Sequence, residues 1–204
     1  GVHTDQVSAV EPTPETLAAL TDAKGCVAIG ETGLDYYHAP TPEARALQET
    51  RFRHHIQAAR LSKRPLIIHT RQAAEATLAC LKTENAQEVG GVMHCFTETW
   101  EVAKAAMDLG FYISFSGIIT FKNALALQEV AKKIPLDRLL IETDAPFLAP
   151  TPFRSQQNQQ AFVTYVAAGL AALRQTSVET IAAATTENFF QCFGRARPAQ
   201  PTPL

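Results

Sequence analysis

The chain has 204 residues, of which 46% are hydrophobic, and this is enough for one sizeable domain with a buried core. The formal net charge of −2 argues against a broad electrostatic grip on nucleic acid, although a few basic residues could contact single phosphates. There is no run of about 18 apolar residues, so we expect no membrane partner and no signal peptide. The four cysteines form no CxxC pair, which favours reduced thiols in a cytoplasmic protein.

Helical and extended patterns alternate along the chain. Two Thr-Pro-Glu triplets, at residues 13–15 and 41–43, are typical helix starts, with threonine as the cap and proline in the first turn. The pair Thr176 and Glu179 has the spacing of a capping box and predicts the start of the last helix. The predicted helices span about residues 14–24, 41–62, 72–82, 102–109 and 127–134, and two closing helices follow a polar loop at 145–160. The predicted strands span residues 27–30, 65–69, 91–95, 111–116 and 138–143.

This alternation predicts an α/β fold in which a parallel sheet is wrapped by helices. A TIM barrel is favoured over an open doubly wound sheet, because no GxGxxG sequence follows a strand and ligand-type residues end four separate strands. We expect a single domain over residues 1–194 and a disordered, proline-rich tail over residues 195–204.

Four of the predicted strands end in residue types that bind metal ions, namely Glu31, His69, His94 and Asp144. Each residue alone could be a hydrogen-bonded group at the rim of the sheet. Because the carboxyl ends of parallel strands meet at one edge, however, the four should lie together. Imidazole suits zinc and carboxylate suits Mg²⁺ or Mn²⁺, so the mixed set predicts a hydrolytic centre with two divalent ions (Mg²⁺, Mn²⁺ or Zn²⁺). Glu31 and Asp144 are the candidate catalytic residues, with Asp144 as ligand and proton acceptor.

The loops that follow the strands carry candidate substrate-binding residues that could grip a phosphate or carboxylate. These residues are Arg71, Lys122, Arg154 and Asn158.

Other polar residues receive a structural interpretation. His54 and His55 fall inside a predicted helix and are expected at a solvated surface. Asp35 is expected to cap a loop. Cys95 follows His94 in an apolar setting, where burial raises the pKa of a thiol and makes it inert.

Six motifs, in the order GVH, GETGLDYY, IIHTR, MHCFT, YISFSG and LLIETDAPFLAP, resemble those of the TatD family of metal-dependent hydrolases. The resemblance runs from residue 1 to about residue 193. It implies an amidohydrolase-like TIM barrel, a two-metal centre and hydrolysis of phosphodiester bonds in DNA, typically from a 3′ end, so that short single-stranded 3′ ends are the expected substrate. By position, Glu31 resembles the bridging carboxylate, His69 and His94 resemble ligands of one ion, and Asp144 resembles the ligand on the last strand. His3 matches a histidine near the family's site.

The chain departs from the family pattern in two places. The family has a first strand with an HxH pair and two further strands before GVH, and this sequence has neither. We therefore expect about 60 N-terminal residues to be missing and the remaining five strands to form an incomplete barrel, since an ordinary barrel needs about 250 residues. In the loop after Asp144, Arg154 and Asn158 remain, but the glycine, lysine and proline of the family pattern are replaced. This second difference bears on phosphate binding more than on the metal set.

Two alternatives to a deoxyribonuclease stay open. The first is a hydrolase that acts on another bond, such as an aminoacyl-tRNA ester, with the same metal site. The second is a non-catalytic fragment or interaction module. A continuous upstream reading frame that encodes an HxH strand would favour the enzyme, whereas a start codon immediately before Gly1 would favour the non-catalytic protein.

Overall fold

The computed structural model of the chain describes residues 1–4, 6 and 10–197. Five parallel strands form one sheet in sequential order: β1 (Ile29–Asp35), β2 (Leu66–Arg71), β3 (Gly91–Met93), β4 (Phe111–Phe115) and β5 (Leu139–Ile141). Within the described part of the chain, β1 and β5 are the two edges, so the sheet does not close. The predicted fold class, an incomplete α/β barrel of five parallel strands, is confirmed.

Seven α-helices connect and flank the strands. They are α1 (Pro14–Leu20), α2 (Pro42–Ser62), α3 (Ala74–Thr83), α4 (Trp100–Asp108), α5 (Leu125–Lys133), α6 (Val163–Arg174) and α7 (Val178–Cys192). Both Thr-Pro-Glu triplets start helices as predicted: the Thr13 hydroxyl accepts from the Thr16 N–H, and the Thr41 hydroxyl accepts from the Ala44 N–H. None of the helices in the described residues has the length and apolarity needed to cross a membrane.

The predicted capping box at the last helix is wrong by one residue. The cap of α7 is Ser177, whose hydroxyl accepts from the Thr180 N–H at 3.1 Å. Thr176 belongs to the end of α6 instead, because its N–H donates to the Ala171 carbonyl behind the left-handed residue Gln175. Of the predicted tail, Gly194–Ala196 forms a 3₁₀ turn, and residues 198–204 lie outside the described residues.

The core lies between the sheet and the helices that cover its outer face. In β4, Phe111, Ile113 and Phe115 point into this main core, while Tyr112 lies on the opposite, concave face of the sheet. A second, smaller cluster on that concave face joins Tyr112 to Val92, Leu140 and Phe193. Because both faces are packed, the strands contain short apolar runs, although β1 and β4 also carry the buried polar residues Thr32 and Ser114.

Candidate metal centre

The four predicted ligand residues lie together at the carboxyl edge of the sheet. Glu31 Oε1 is 3.3 Å from His69 Nδ1 and 3.6 Å from His94 Nε2. His94 Nε2 is also 3.3 Å from Asp144 Oδ1. All four side chains line one cavity of about 730 Å³. The carboxylate of Glu31 is therefore the group that both imidazoles face.

The backbone of β1 is shaped to bring Glu31 to this position. The pairing register between β1 and β2 shifts between Ile29 and Thr32, which is the kind of irregularity that re-aims a side chain at a site. Gly33, two residues after Glu31, pairs with His69 and has a φ of +142°. A Cβ atom at Gly33 would overlap the His69 carbonyl oxygen, so only glycine lets the two strands approach this closely beside the imidazole.

Each of the two imidazoles is held from behind by a second carboxylate. His69 Nε2 lies 3.1 Å from Asp35 Oδ2, and His94 Nδ1 lies 2.9 Å from Glu142 Oε1. In both rings the other nitrogen faces Glu31. Histidines that bind metal ions usually donate their second N–H to a carboxylate, because this fixes the tautomer and the ring orientation. The arrangement therefore presents two imidazole lone pairs to the same point.

Asp35 combines the predicted loop cap with support of His69. Its carboxylate, in a residue that is 3% exposed, accepts from the His38 backbone N–H at 3.1 Å and contacts His38 Nδ1 at 2.8 Å. Its own N–H donates to Gln48 Oε1 at 2.8 Å. These bonds hold the Asp35 side chain in place behind His69.

Glu142 was missed by the sequence analysis. Its Oε2 atom accepts from the Cys95 N–H at 3.1 Å, and its other oxygen supports His94. Glu142, His94 and Asp144 form one of two groups whose donor atoms lie within 4.8 Å of one another. The available signal was the spacing in Glu142-Thr143-Asp144, which places two carboxylates on the same side just after a strand.

The second group of donor atoms adds His3 to Glu31 and His69. His3 Nε2 is 3.5 Å from Glu31 Oε1, and its ring centroid is 5.5 Å from that of His69. The sequence analysis placed His3 near the site by resemblance alone. In the structure, His3 lies with Glu31 at the edge strand β1.

The segment that carries His3 is anchored by side chains of α2. Arg51 Nη1 donates to the His3 carbonyl at 2.9 Å, and Gln48 Nε2 donates to the Thr4 carbonyl at 3.2 Å. His55 Nε2 accepts from the Val2 N–H at 3.0 Å. The backbones of three successive residues, Val2 to Thr4, are thus bonded to one face of the helix.

This anchoring overturns the expectation that His54 and His55 are solvated. His55 is fully buried, and its Nδ1 atom contacts the Arg51 carbonyl at 2.8 Å. His54 is half-buried, with Nδ1 3.0 Å from the Pro12 carbonyl. The expectation fails because the segment before α1 packs over a face of α2 that an isolated helix would expose.

The field at the centre is negative. Burial alone would raise the pKa of Glu31, but hydrogen bonds from His3 and His69 hold it well below its usual value. Burial alone would lower the pKa of His94, but Asp144 and Glu142 raise it to about 10. The carboxylates thus favour positive charge at the point that the imidazoles face. Burial raises the pKa of the Cys95 thiol, which agrees with the expectation of an unreactive thiol.

The donor set fits divalent cations. Imidazole nitrogens and carboxylate oxygens from separate strands converge within a few ångströms, and each imidazole has its supporting carboxylate. The side chains of Glu31, His69, His94 and Asp144 are 19–30% exposed, which leaves the centre accessible from the cavity.

The four predicted substrate-binding residues differ in their surroundings. Arg71 lines the same cavity, with its guanidinium 3.9 Å from the centroid of Tyr37. Arg154 lines an adjoining cavity. Lys122, in the segment after β4, is exposed to solvent. Asn158 is 4% exposed, and its amide donates to the Thr143 and Phe147 carbonyls at 2.6 Å each. The geometry of Asn158 therefore favours a role in holding the Asp144 loop over contact with substrate.

Comparison with known proteins gives one family. A family model described as "TatD related DNase" matches residues 1–194. The chain is 52% identical over 179 residues to the "Uncharacterized metal-dependent hydrolase YcfH" of Escherichia coli K12. The aligned region covers 88% of this chain and 67% of the relative. It is 34% identical to the "3'-5' ssDNA/RNA exonuclease TatD" of a Pantoea species, over 95% of this chain and 76% of the relative.

The fold agrees with these sequence matches. The solved structure of YJJV, a TatD homolog from Escherichia coli K12, superposes with a TM-score of 0.80 at 29% identity and covers 89% of this chain and 70% of that one. The chain belongs to the TatD family of metal-dependent hydrolases.

Proposed function

We propose that this chain is a metal-dependent phosphodiesterase that shortens single-stranded DNA from its 3′ end. The observation that carries the proposal is the convergence of His69 Nδ1 and His94 Nε2 on one carboxylate oxygen of Glu31, with a second carboxylate behind each ring. Such a set of donors has little use in a purely structural role, because it concentrates negative charge at a point open to a cavity.

Two divalent ions, Mg²⁺, Mn²⁺ or Zn²⁺, fit the two donor groups. Glu31 lies between them, since it is near His3 and His69 in one group and 3.6 Å from His94 of the other. Glu31 would therefore be placed to hold an ion together with residues of either group. Divalent ions bound there supply Lewis-acid polarisation of a phosphoryl oxygen and lower the pKa of water at the site.

The residues of the chain have separate tasks in this proposal. Asp35 and Glu142 keep the two imidazoles oriented toward Glu31. Asp144 stands at the mouth of the cavity, 3.3 Å from His94, and is the carboxylate placed to accept the proton of the attacking water. Arg71 lines the same cavity and is placed to bind the substrate phosphate.

A nucleic-acid substrate is supported by the Pantoea relative, whose name describes a 3'-5' exonuclease of single-stranded DNA and RNA. The net charge of −2 leaves no long basic track, so contact with only two or three phosphates near a strand end is expected. That footprint predicts a log–log salt dependence of binding with a slope of roughly −1.4 to −2.1. The four free cysteines fit a cytoplasmic location.

Digestion of a short, 5′-labelled single strand with Mn²⁺ tests the proposal. We expect a ladder that shortens from the 3′ end, no cutting of a closed circular strand, and no products in EDTA. Glu31→Gln and Asp144→Asn should each lower the rate by at least about 100-fold, because each removes a charged donor from the centre. Asp108→Asn, a surface carboxylate paired with Lys104, is the matched control and should keep the rate.

Three outcomes contradict the proposal. If the rates of both site variants are within about tenfold of the rate of the parent chain, the metal centre does not take part in the reaction. Cutting of the closed circle as fast as the linear strand would exclude an exonuclease. Metal binding without hydrolysis of any strand would favour a non-catalytic protein or a hydrolase of another bond.

A further inference from the structure

We infer that the chain has a second subsite, next to the metal centre, that binds the nucleotide adjoining the scissile phosphodiester. The inference rests on the proposed function and adds to it where the substrate strand lies. The subsite is the cavity of about 520 Å³ that is floored by Phe121, Ala124 and Leu127 and edged by Arg154. Its size is in the range of pockets that hold small organic ligands.

The subsite is continuous with the metal centre. Three residues, Thr97, Ile118 and Leu148, line both this cavity and the cavity that contains Glu31 and Asp144. A strand whose terminal phosphodiester lies at the metal centre can therefore extend its next nucleotide over this shared wall without leaving the protein surface.

Arg154 is held at the edge of the subsite with its hydrogen-bond donors available. Its guanidinium carbon lies 3.3 Å from the centroid of the Phe121 ring. Across the described residues, this guanidinium makes no hydrogen bond or ion pair, so the ring contact leaves its N–H groups for a ligand. Arginine in this setting binds phosphate oxygens through its planar fork of donors.

The loop that carries Arg154 is tied to the segment that carries Phe121. The Thr151 N–H donates to the Thr120 hydroxyl at 2.8 Å, and the Thr151 hydroxyl donates to the Thr120 carbonyl at 3.1 Å. Immediately before Arg154 in the loop, the Phe153 ring stacks on Phe162 with centroids 4.4 Å apart. These contacts position the guanidinium before any ligand arrives, which limits the entropy lost on binding.

The chemistry of the cavity matches a nucleotide with its phosphate. The aromatic and aliphatic floor offers a surface for a base of any sequence, as in other sites for single strands. Arg154, the cation among the described residues that line the cavity, supplies the contact for the following phosphate. Arg71 makes the same kind of contact in the cavity of the metal centre, where its guanidinium lies over the ring of Tyr37. An arginine stacked on an aromatic ring thus lines each of the two connected cavities.

Binding of short ligands in EDTA tests the subsite without turnover. The ligands are thymidine monophosphate and the trinucleotide d(TTT), and the measured quantity is the ratio of their dissociation constants for each protein. The parent chain should bind the trinucleotide at least about tenfold more tightly. Arg154→Gln and Phe121→Leu should each reduce that preference by about fivefold or more. The matched control is Arg138→Gln, whose guanidinium lies over Tyr112 just before β5, at the opposite end of the sheet.

The result separates the subsite from the proposed function. A parent chain that prefers the trinucleotide by less than about threefold, or variants that keep the parent's preference, would overturn the subsite even if the chain digests DNA. Loss of the preference in both variants, with the control unchanged, supports the subsite. If that loss is seen but no strand is hydrolysed with metal, the subsite stands and the proposed activity fails.

Discussion

The substitution Arg51→Met tests whether α2 anchors the segment that carries His3. Arg51 donates from Nε and Nη2 to the Glu11 carboxylate and from Nη1 to the carbonyls of His3 and Gln6, at 2.9 Å each. The Arg51 side chain is 4% exposed and that of Glu11 is 21% exposed. Methionine replaces the apolar Cβ–Cδ stem of the arginine but removes all of these donors.

The size of the effect follows from burial. Removing one partner of a buried ion pair costs about 3–5 kcal/mol, because the other partner is left without compensation. Glu11 is partly exposed and regains some hydration, so we expect the lower end, about 3 kcal/mol of unfolding free energy. The Arg51 hydrogen bond also lowers the pKa of Glu11, which agrees with a charged pair in the folded chain.

Urea unfolding monitored by circular dichroism measures this loss, provided that the slope with denaturant stays constant. Arg60→Met is the matched control, since Arg60 lies on the same helix and also forms a two-bond pair, with Glu88, but at the surface. The control should be much less destabilised. A loss below about 1 kcal/mol for Arg51→Met would refute the anchoring of the segment that carries His3 by this side chain.

Two further substitutions probe the support of the centre. Asp35→Ala should weaken metal binding by about 10- to 100-fold in calorimetry, because His69 loses its orienting carboxylate. The control Asp22→Ala, at an exposed residue, should bind metal as the parent does. Equal affinities for Asp35→Ala and the parent would show that Asp35 is only a loop cap. Burial lowers the pKa of His55 from 6.5 to about 4, so between these two pH values the unfolded chain binds more protons than the folded chain. About 3 kcal/mol of unfolding free energy should therefore be lost as the pH falls from 6.5 to 4. Acid unfolding of His55→Gln should lack that loss, and an identical pH profile for both chains would contradict a buried neutral His55.

The fold was predictable because strands and helices differ in their periodicity. Strands packed on both faces read as short apolar runs, and this placed β2 to β5 within two residues of their observed bounds. The predicted end of β1 at residue 30 is wrong, since β1 continues through Glu31 to Asp35. The grouping of the four candidate ligands was predictable for the same reason, since a charged or imidazole side chain that follows an apolar run is conspicuous.

Residues whose role depends on tertiary contacts were not predictable. Glu142 contacts His94 because β3 and β5 bring their ends together through β4; the spacing of Glu142 and Asp144 marks Glu142 as a possible ligand but does not identify His94 as its partner. His55 is buried because residues 1–4 pack on α2, which the helix periodicity of α2 cannot reveal. Asn158 has the spacing of a substrate ligand, but its loop folds its amide inward onto two carbonyls.

Calorimetric titration of the metal-free chain with Mn²⁺ or Zn²⁺ tests the central claim, that Glu31 joins two donor groups into one metal centre. The account predicts two ions per chain and a loss of affinity of at least about 100-fold for both ions in Glu31→Gln, because one oxygen of Glu31 lies within 3.6 Å of His3, His69 and His94. The surface variant Glu129→Gln, which breaks only the exposed pair with Lys132, should bind as the parent does. Unchanged stoichiometry and affinity in Glu31→Gln, or no binding by the parent chain, would contradict the account.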